Sequence, residues 1–150
     1  PPLRGERDRQ ALLAGLADGT LDAIATDHAP QGLTDQEGLF EEAAAGAVGL
    51  ETAVGQVLAQ VRAGALTVQR AIEALTSAPA RAFGLAGGTL GAGAPADLAV
   101  IDPARSWTVT PDALLGKGKN TPLTGTTLTG RAVLTLLAGR PTCDRDRRLL

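Results

Sequence analysis

An apolar run ends in Thr26-Asp27-His28, and Pro30 stops the backbone two residues later. These are the residues of the chain best suited to do chemistry. Asp27 is a carboxylate at the end of a hydrophobic segment, and His28 is the only histidine among 150 residues. Zinc accepts both Asp oxygen and His nitrogen as ligands. A carboxylate at a metal centre can double as a general base. If 21–26 is a strand, alternation puts Asp27 on the face of Leu21, Ala23 and Ala25, at the strand's C-terminal end. Active sites of parallel barrels sit at that end. A plainer reading stands beside this one: Asp27 caps the following turn through its side chain and His28 is a satisfied neighbour. The residue types alone leave both open.

The elements that must position this pair can be read from periodicity. Residues 6–16 predict a helix with Leu12, Leu13 and Leu16 on its buried face, closed at Asp18-Gly19. Residues 21–26, short and apolar apart from Asp22, predict a buried strand in an αβ unit. Residues 28–48 have no sustained period. A loop so long at the C-terminal end of a strand points to function, with one helical turn expected at 37–42. Leu50, Val54, Val57, Leu58 and Val61 define an amphipathic helix ended by Gly64. Thr67 caps a second helix that buries Val68, Ile72 and Leu75. A shorter helix follows Pro79, through Phe83 to Gly84.

After Gly84 the pattern turns to β structure. Short strands are expected at 97–101 and 107–109 with a turn at Asp102-Pro103, and a hairpin joins 133–137 to 142–143 across Ala138-Gly139-Arg140. Gly91-Ala92-Gly93 neither follows a strand nor opens a helix, so these are turn glycines and not a phosphate loop. The charge run at 144–148 reads as a solvated tail. The chain therefore divides into an α/β part, residues 1–83, and a β-rich part, residues 84–150. A single buried parallel strand needs neighbours on both sides, so the first part reads as the end of a larger α/β fold.

Composition excludes several roles. With 14 basic and 16 acidic residues, net charge is -2, which gives no electrostatic reason to expect nucleic acid or an anionic membrane as partner. No apolar run approaches the ~18 residues of a membrane span. Cys143 is the one cysteine and cannot pair within the chain, so a reducing, cytoplasmic setting is expected. The chain starts at Pro1 and contains no methionine, as expected of a processed or truncated chain.

The run TDHAP (26–30) does not stand alone. Pro1-Pro2-Leu3-Arg4, Asp18-Gly19-Thr20, VGLETA (48–53), TSAPAR (76–81), the stretch 93–102 and Asn120-Thr121-Pro122 follow in one order. Together they resemble the C-terminal portion of bacterial class I dihydroorotases, in the amidohydrolase superfamily. The resemblance covers nearly the whole chain. It implies a TIM-barrel metal-dependent hydrolase, with 1–83 carrying the last barrel strand and helices. Residues 84–150 would form the C-terminal part of a small β-sandwich domain.

It also implies zinc, one or two ions in the complete protein, held by upstream histidines, a second carboxylate, and Asp27. The implied reaction is the reversible cyclisation of N-carbamoyl-L-aspartate to L-dihydroorotate in pyrimidine synthesis, with Asp27 both metal ligand and proton carrier. His28 becomes a supporting neighbour. Substrate contacts are implied at Gln31 and at the backbone of Ala45 and Gly46. The family pattern has His where Gln31 stands, and a Pro-Phe-Gly segment where this chain has Ala44-Ala45-Gly46. Those departures keep two alternatives in view: a non-catalytic scaffold partner of aspartate carbamoyltransferase, and a sibling cyclic amidase acting on allantoin or dihydropyrimidines. A homo-oligomer is also expected.

Overall fold

The computed structural model describes residues 3–32 and 34–146. Pro1 and Pro2 of the first matching segment, Leu33 of the long loop, and Arg147 and Arg148 of the terminal charge run lie outside the described residues. Four helices come first: α1 (Glu6–Asp18), α2 (Leu50–Arg62), α3 (Val68–Leu75) and α4 (Ser77–Phe83). Three strands follow, β1 (Leu98–Thr108), β2 (Thr127–Leu137) and β3 (Arg140–Asp144), in an antiparallel sheet ordered β1-β2-β3.

Local chemistry accounts for the helix ends. Glu6 and Asp8 place negative charge in the first turn of α1, where the helix dipole favours it, and Gly19 closes it in the left-handed region. The Glu6 carboxyl accepts from the side chains of Arg9 and Gln10, which hold its pKa down to about 2. Thr67 caps α3 as expected, its hydroxyl accepting from Arg70 N at 3.1 Å. α4 starts at Ser77, before the proline. Pro79 lies within the first turn, where its missing N–H costs no helical bond.

Four expectations about these elements are corrected. Residues 21–26 form no ladder and are not buried: Leu21 is 37% exposed. The segment is tied instead by Ile24 N to Ala74 O at 2.9 Å and by Arg70, whose guanidinium donates to the carbonyls of Leu16, Leu21 and Asp22. A parallel strand needs flanking strands, and the described residues offer it none. Next, α3 buries Ala71 and Ala74, and leaves Val68 and Ile72 more than half exposed. Its sequence carries two apolar stripes, and tertiary packing covers the one built of small residues. Likewise Leu12 of α1 is exposed while Leu13 and Leu16 are half-buried. Finally, the helical turn of the long loop falls at Thr34–Gln36, with a second turn closed on Leu39 O, in place of one turn at 37–42.

In the second part, β1 is a single strand where two were expected. The turn at Asp102-Pro103 survives inside it as an irregularity: the register with β2 shifts between Asp102 and Ser106. Asp102 Oδ1 accepts from Ala104 N and Arg105 N at 2.9 and 3.2 Å, and Pro103 has no N–H to give the ladder. The hairpin is tighter than expected. Leu137 pairs with Arg140, so the loop is Ala138-Gly139, with φ of 48° and 76°, as a two-residue primed turn requires. Asp97 Oδ1 accepts from Ala138 N at 2.7 Å and secures it. The described part of the terminal charge run is not a free tail. Asp144 ends β3, Arg145 donates to Val133 O and Ala132 O, and Asp146 pairs with Arg105 at 2.6 Å.

The core joins the two parts. Val48, Trp107, Val109, Leu114 and Leu128 are buried together, with Ala113 and Leu123 against them, and Arg131 covers the Trp107 ring at 4.1 Å. Burial, then the neighbouring Arg145 and Arg105 charges, lower the Arg131 pKa from its ordinary value. α2 lies directly on β2. A Cβ at Gly55 would stand 2.9 Å from Leu128 Cβ, and one at Gly130 (φ 102°) would strike Leu58 Cδ1. Gly130→Ala combines that clash with a backbone conformation disfavoured for any side chain. It is expected to destabilise the full-length protein by about 1–3 kcal/mol, read as a lowered urea midpoint; an unchanged midpoint would show that α2 is not seated this closely.

Candidate functional site

The N-terminus of α2 organises the region around Asp27. Helix starts leave backbone N–H groups without partners, and Gly49 has no side chain to cap this one. His28 does so from elsewhere in the chain: its Nδ1 accepts from Gly49 N at 3.0 Å and from Leu50 N at 3.4 Å. An imidazole accepting at Nδ1 carries its proton on Nε2. The preceding residue is drawn in as well, since a Cβ at Gly49 would lie 2.8 Å from Thr26 O. Between Thr26 and His28, Asp27 adopts φ 46°, a region that Asp and Asn tolerate better than other side chains. Asp27 is solvent-exposed.

Two loops meet beside it. His28 and Ala47 form an isolated parallel bridge, with Ala29 N donating to Ala47 O at 2.9 Å. Gln31 Nε2 donates to Ala45 O at 3.1 Å. Gly46 (φ 135°) lies so close that a Cβ there would be 2.6 Å from Ala29 Cβ. The structure thus brings Gln31, Ala45 and Gly46 together, three residues singled out from sequence, in the loops next to Asp27. The carbonyls of Ala45 and Gly46 already accept intramolecular bonds: Ala45 O from Gln31, and Gly46 O from Asn120 Nδ2 at 3.0 Å and Gln36 Nε2 at 3.4 Å.

Two contributors were not singled out by the sequence. Asn120 Oδ1 accepts from Gln31 N at 2.9 Å and its Nδ2 donates to Ala29 O at 3.0 Å. Glu51, in the first turn of α2, accepts from Leu115 N at 2.9 Å and Gly116 N at 3.0 Å. That anchors the loop leading to Asn120, and Gly118 in this loop packs on Pro30, where a Cβ would come within 2.5 Å. Asn120 lies 89 residues from Gln31, so no local pattern links them. The available signal was the Asn120-Thr121-Pro122 segment, which carries no role in itself.

Among the described residues no group of three or more His, Cys, Asp or Glu side chains converges to hold a metal ion. Asp27 and His28 do not make a closed centre, since His28 Nδ1 is committed to α2. What the site offers chemically is one exposed carboxylate on a backbone held by α2, beside a rim of loop amides. No helix among the described residues is long and apolar enough to cross a membrane.

An amidohydrolase family model matches residues 2–142, and the chain belongs to the amidohydrolase family. Its similarity to particular members is narrower. It is 56% identical over 140 residues to the dihydroorotase of Anaeromyxobacter sp. (strain K), covering 93% of this chain and 32% of that protein. With the dihydroorotase of Syntrophus aciditrophicus (strain SB) it shares 47% over 146 residues, or 97% of this chain and 34% of that protein. Among solved structures it superposes on the L-hydantoinase (dihydropyrimidinase) from Arthrobacter aurescens with a TM-score of 0.87 at 30% identity, covering 100% of this chain and 35% of that one. The D-hydantoinase (dihydropyrimidinase) from Thermus sp. gives 0.87 at 27% identity, covering 97% and 33%. The chain spans about a third of the length of the relatives it matches.

His28→Ala would leave the first N–H groups of α2 without their acceptor. It is expected to cost about 0.5–2 kcal/mol of stability in the full-length protein. Equilibrium denaturation reads this directly, and wild-type stability in the variant would assign the cap to another group.

Proposed function

We propose that the protein containing this chain is a dihydroorotase, catalysing the reversible cyclisation of N-carbamoyl-L-aspartate to L-dihydroorotate in pyrimidine synthesis. The observation that carries the reading is the contrast in similarity: 47% and 56% identity to two dihydroorotases, against 27% and 30% to hydantoinases of matching fold. On this reading residues 1–83 are the last strand position and helices of a TIM barrel, and 84–150 are part of a composite β-sandwich domain. The protein is cytoplasmic and forms a homo-oligomer.

One or two zinc ions would supply Lewis acidity at the scissile amide. Asp27 fits one ligand position of such a centre and no more, because the other donors are not in this chain. The proton work falls to Asp27. In ring opening it takes a proton from the attacking water as the new C–O bond forms at the ring amide carbon. It then delivers that proton to the ring nitrogen as the C–N bond breaks. In cyclisation the same carboxylate receives the proton of the ureido nitrogen as that nitrogen attacks the terminal carboxyl carbon, and water leaves. Gln31 would offer the substrate an amide without positive charge, and to donate to it the Nε2 would have to leave Ala45 O. Contacts from Ala45 and Gly46 would come through their N–H groups, because their carbonyls are engaged.

A scaffold role beside aspartate carbamoyltransferase draws on one observation, the neutral Gln31 turned onto Ala45 O. Turnover by the zinc-loaded full-length protein separates the two readings. Within it, Asp27→Asn is the sharpest substitution, because Asn tolerates the left-handed backbone of residue 27 and removes only the charge. Turnover of L-dihydroorotate is expected to fall ~10²–10⁴-fold, the usual worth of a positioned acid–base group; activity close to wild type would remove Asp27 from the proton path. The 150-residue chain alone is expected to hold no stoichiometric zinc by elemental analysis, since two neighbouring donors cannot complete a tetrahedral site. A tightly bound equivalent would contradict that.

A further inference from the structure

We infer that Asn120 is a positioning residue that fixes the spacing of the two substrate-facing loops and thereby sets the affinity for the cyclic amide substrate. The inference rests on the dihydroorotase reading and extends it to a residue in the β-rich part of the chain. Its side-chain amide places its oxygen and its NH2 group on these loops. Oδ1 accepts from Gln31 N at 2.9 Å, while Nδ2 donates to Ala29 O and to Gly46 O, each at 3.0 Å. Its main-chain oxygen accepts from Val48 N at 2.8 Å. One residue therefore bonds both sides of Pro30, close after Asp27, and both sides of Ala47 in the facing loop.

No other side chain supplies this pattern at this reach. Asp has the same shape but would set a carboxylate against two carbonyl oxygens, and Gln adds a methylene where Gly118 already presses on Pro30. The amide is also well supported. Glu51 holds the backbone at Leu115 and Gly116, and the Lys119 ammonium donates to Leu114 O. The loops it joins are thinly packed: Asp27, His28, Pro30 and Ala45 are exposed and Gln31 and Gly46 half-buried. Their separation therefore depends on hydrogen bonds more than on a core, and loss of the amide should move the loops without unfolding the protein.

The test uses the zinc-loaded full-length protein with Asn120→Asp and Asn120→Ala. Leu136→Ala serves as a control that weakens the sheet at the hairpin end of β2, where Leu136 pairs with Leu98 and Pro141, away from both loops. Both Asn120 variants are expected to raise KM for L-dihydroorotate about 10-fold or more, the equivalent of one lost hydrogen bond, with kcat within about threefold and zinc content unchanged. Amide hydrogen exchange should quicken in peptides spanning 28–32 and 45–49 and stay constant across β2. Leu136→Ala should lower Tm and leave KM alone. The inference is overturned if KM and exchange are those of wild type, or if the Asn120 variants behave like Leu136→Ala. Should the wild-type protein fail to turn over L-dihydroorotate, the dihydroorotase reading falls. Exchange then decides alone: faster exchange confined to the two loops supports the positioning role, and unchanged exchange overturns it.

Discussion

The seating of α2 on the sheet is the constraint from which the rest of the site follows. Gly55 opposite Leu128 and Gly130 opposite Leu58 let the helix approach β2 to a distance that no side chain at either position would permit. Once it lies there, its first turn faces three strands of chain at once. His28 meets the N–H groups of Gly49 and Leu50, Glu51 meets those of Leu115 and Gly116, and Val48 enters the core with Trp107 and Val109. The helix start thus works as a junction. Its unsatisfied donors draw in the Asp27 loop, and its first-turn carboxylate draws in the loop that ends at Asn120.

This arrangement ties the β-rich part of the chain to the chemistry. The sheet touches no reacting group, yet the segment before β2 carries the amide that spans both loops. The contacts of His28 also explain why it does not act as a ligand through Nδ1: that nitrogen is an acceptor for backbone. The Asp-His pair divides its labour, with the histidine fixing the turn and the carboxylate presented beyond it at φ 46°.

Much of this was legible in the sequence. The helices were readable because apolar spacing and capping residues such as Thr67 and Gly19 act locally. Motif resemblance singled out Gln31, Ala45 and Gly46, though not the bond between Gln31 and Ala45. What was not legible depends on partners distant in the chain. The 21–26 segment has the composition of a buried strand and lacks the neighbours that would make it one. Val68 and Ile72 have the spacing of a buried face, but Ala71 and Ala74 are covered in their place. Asp102-Pro103 reads as a turn between strands, and pairing with β2 carries β1 through it as an irregularity. Asn120 and Glu51 were missed because a hydrogen bond across 89 or 64 residues leaves no periodic trace.

The central claim is that these loops present Asp27 to the scissile amide of a dihydroorotate ring. A crystal structure of the full-length protein with L-dihydroorotate bound tests it most directly. The account predicts a carboxylate oxygen of Asp27 within hydrogen-bond reach of the reacting groups, about 2.6–3.2 Å, with Asn120 still bridging Ala29, Gln31 and Gly46. A ring bound elsewhere, or an Asp27 carboxylate turned away from the amide with another group in its place, would contradict it.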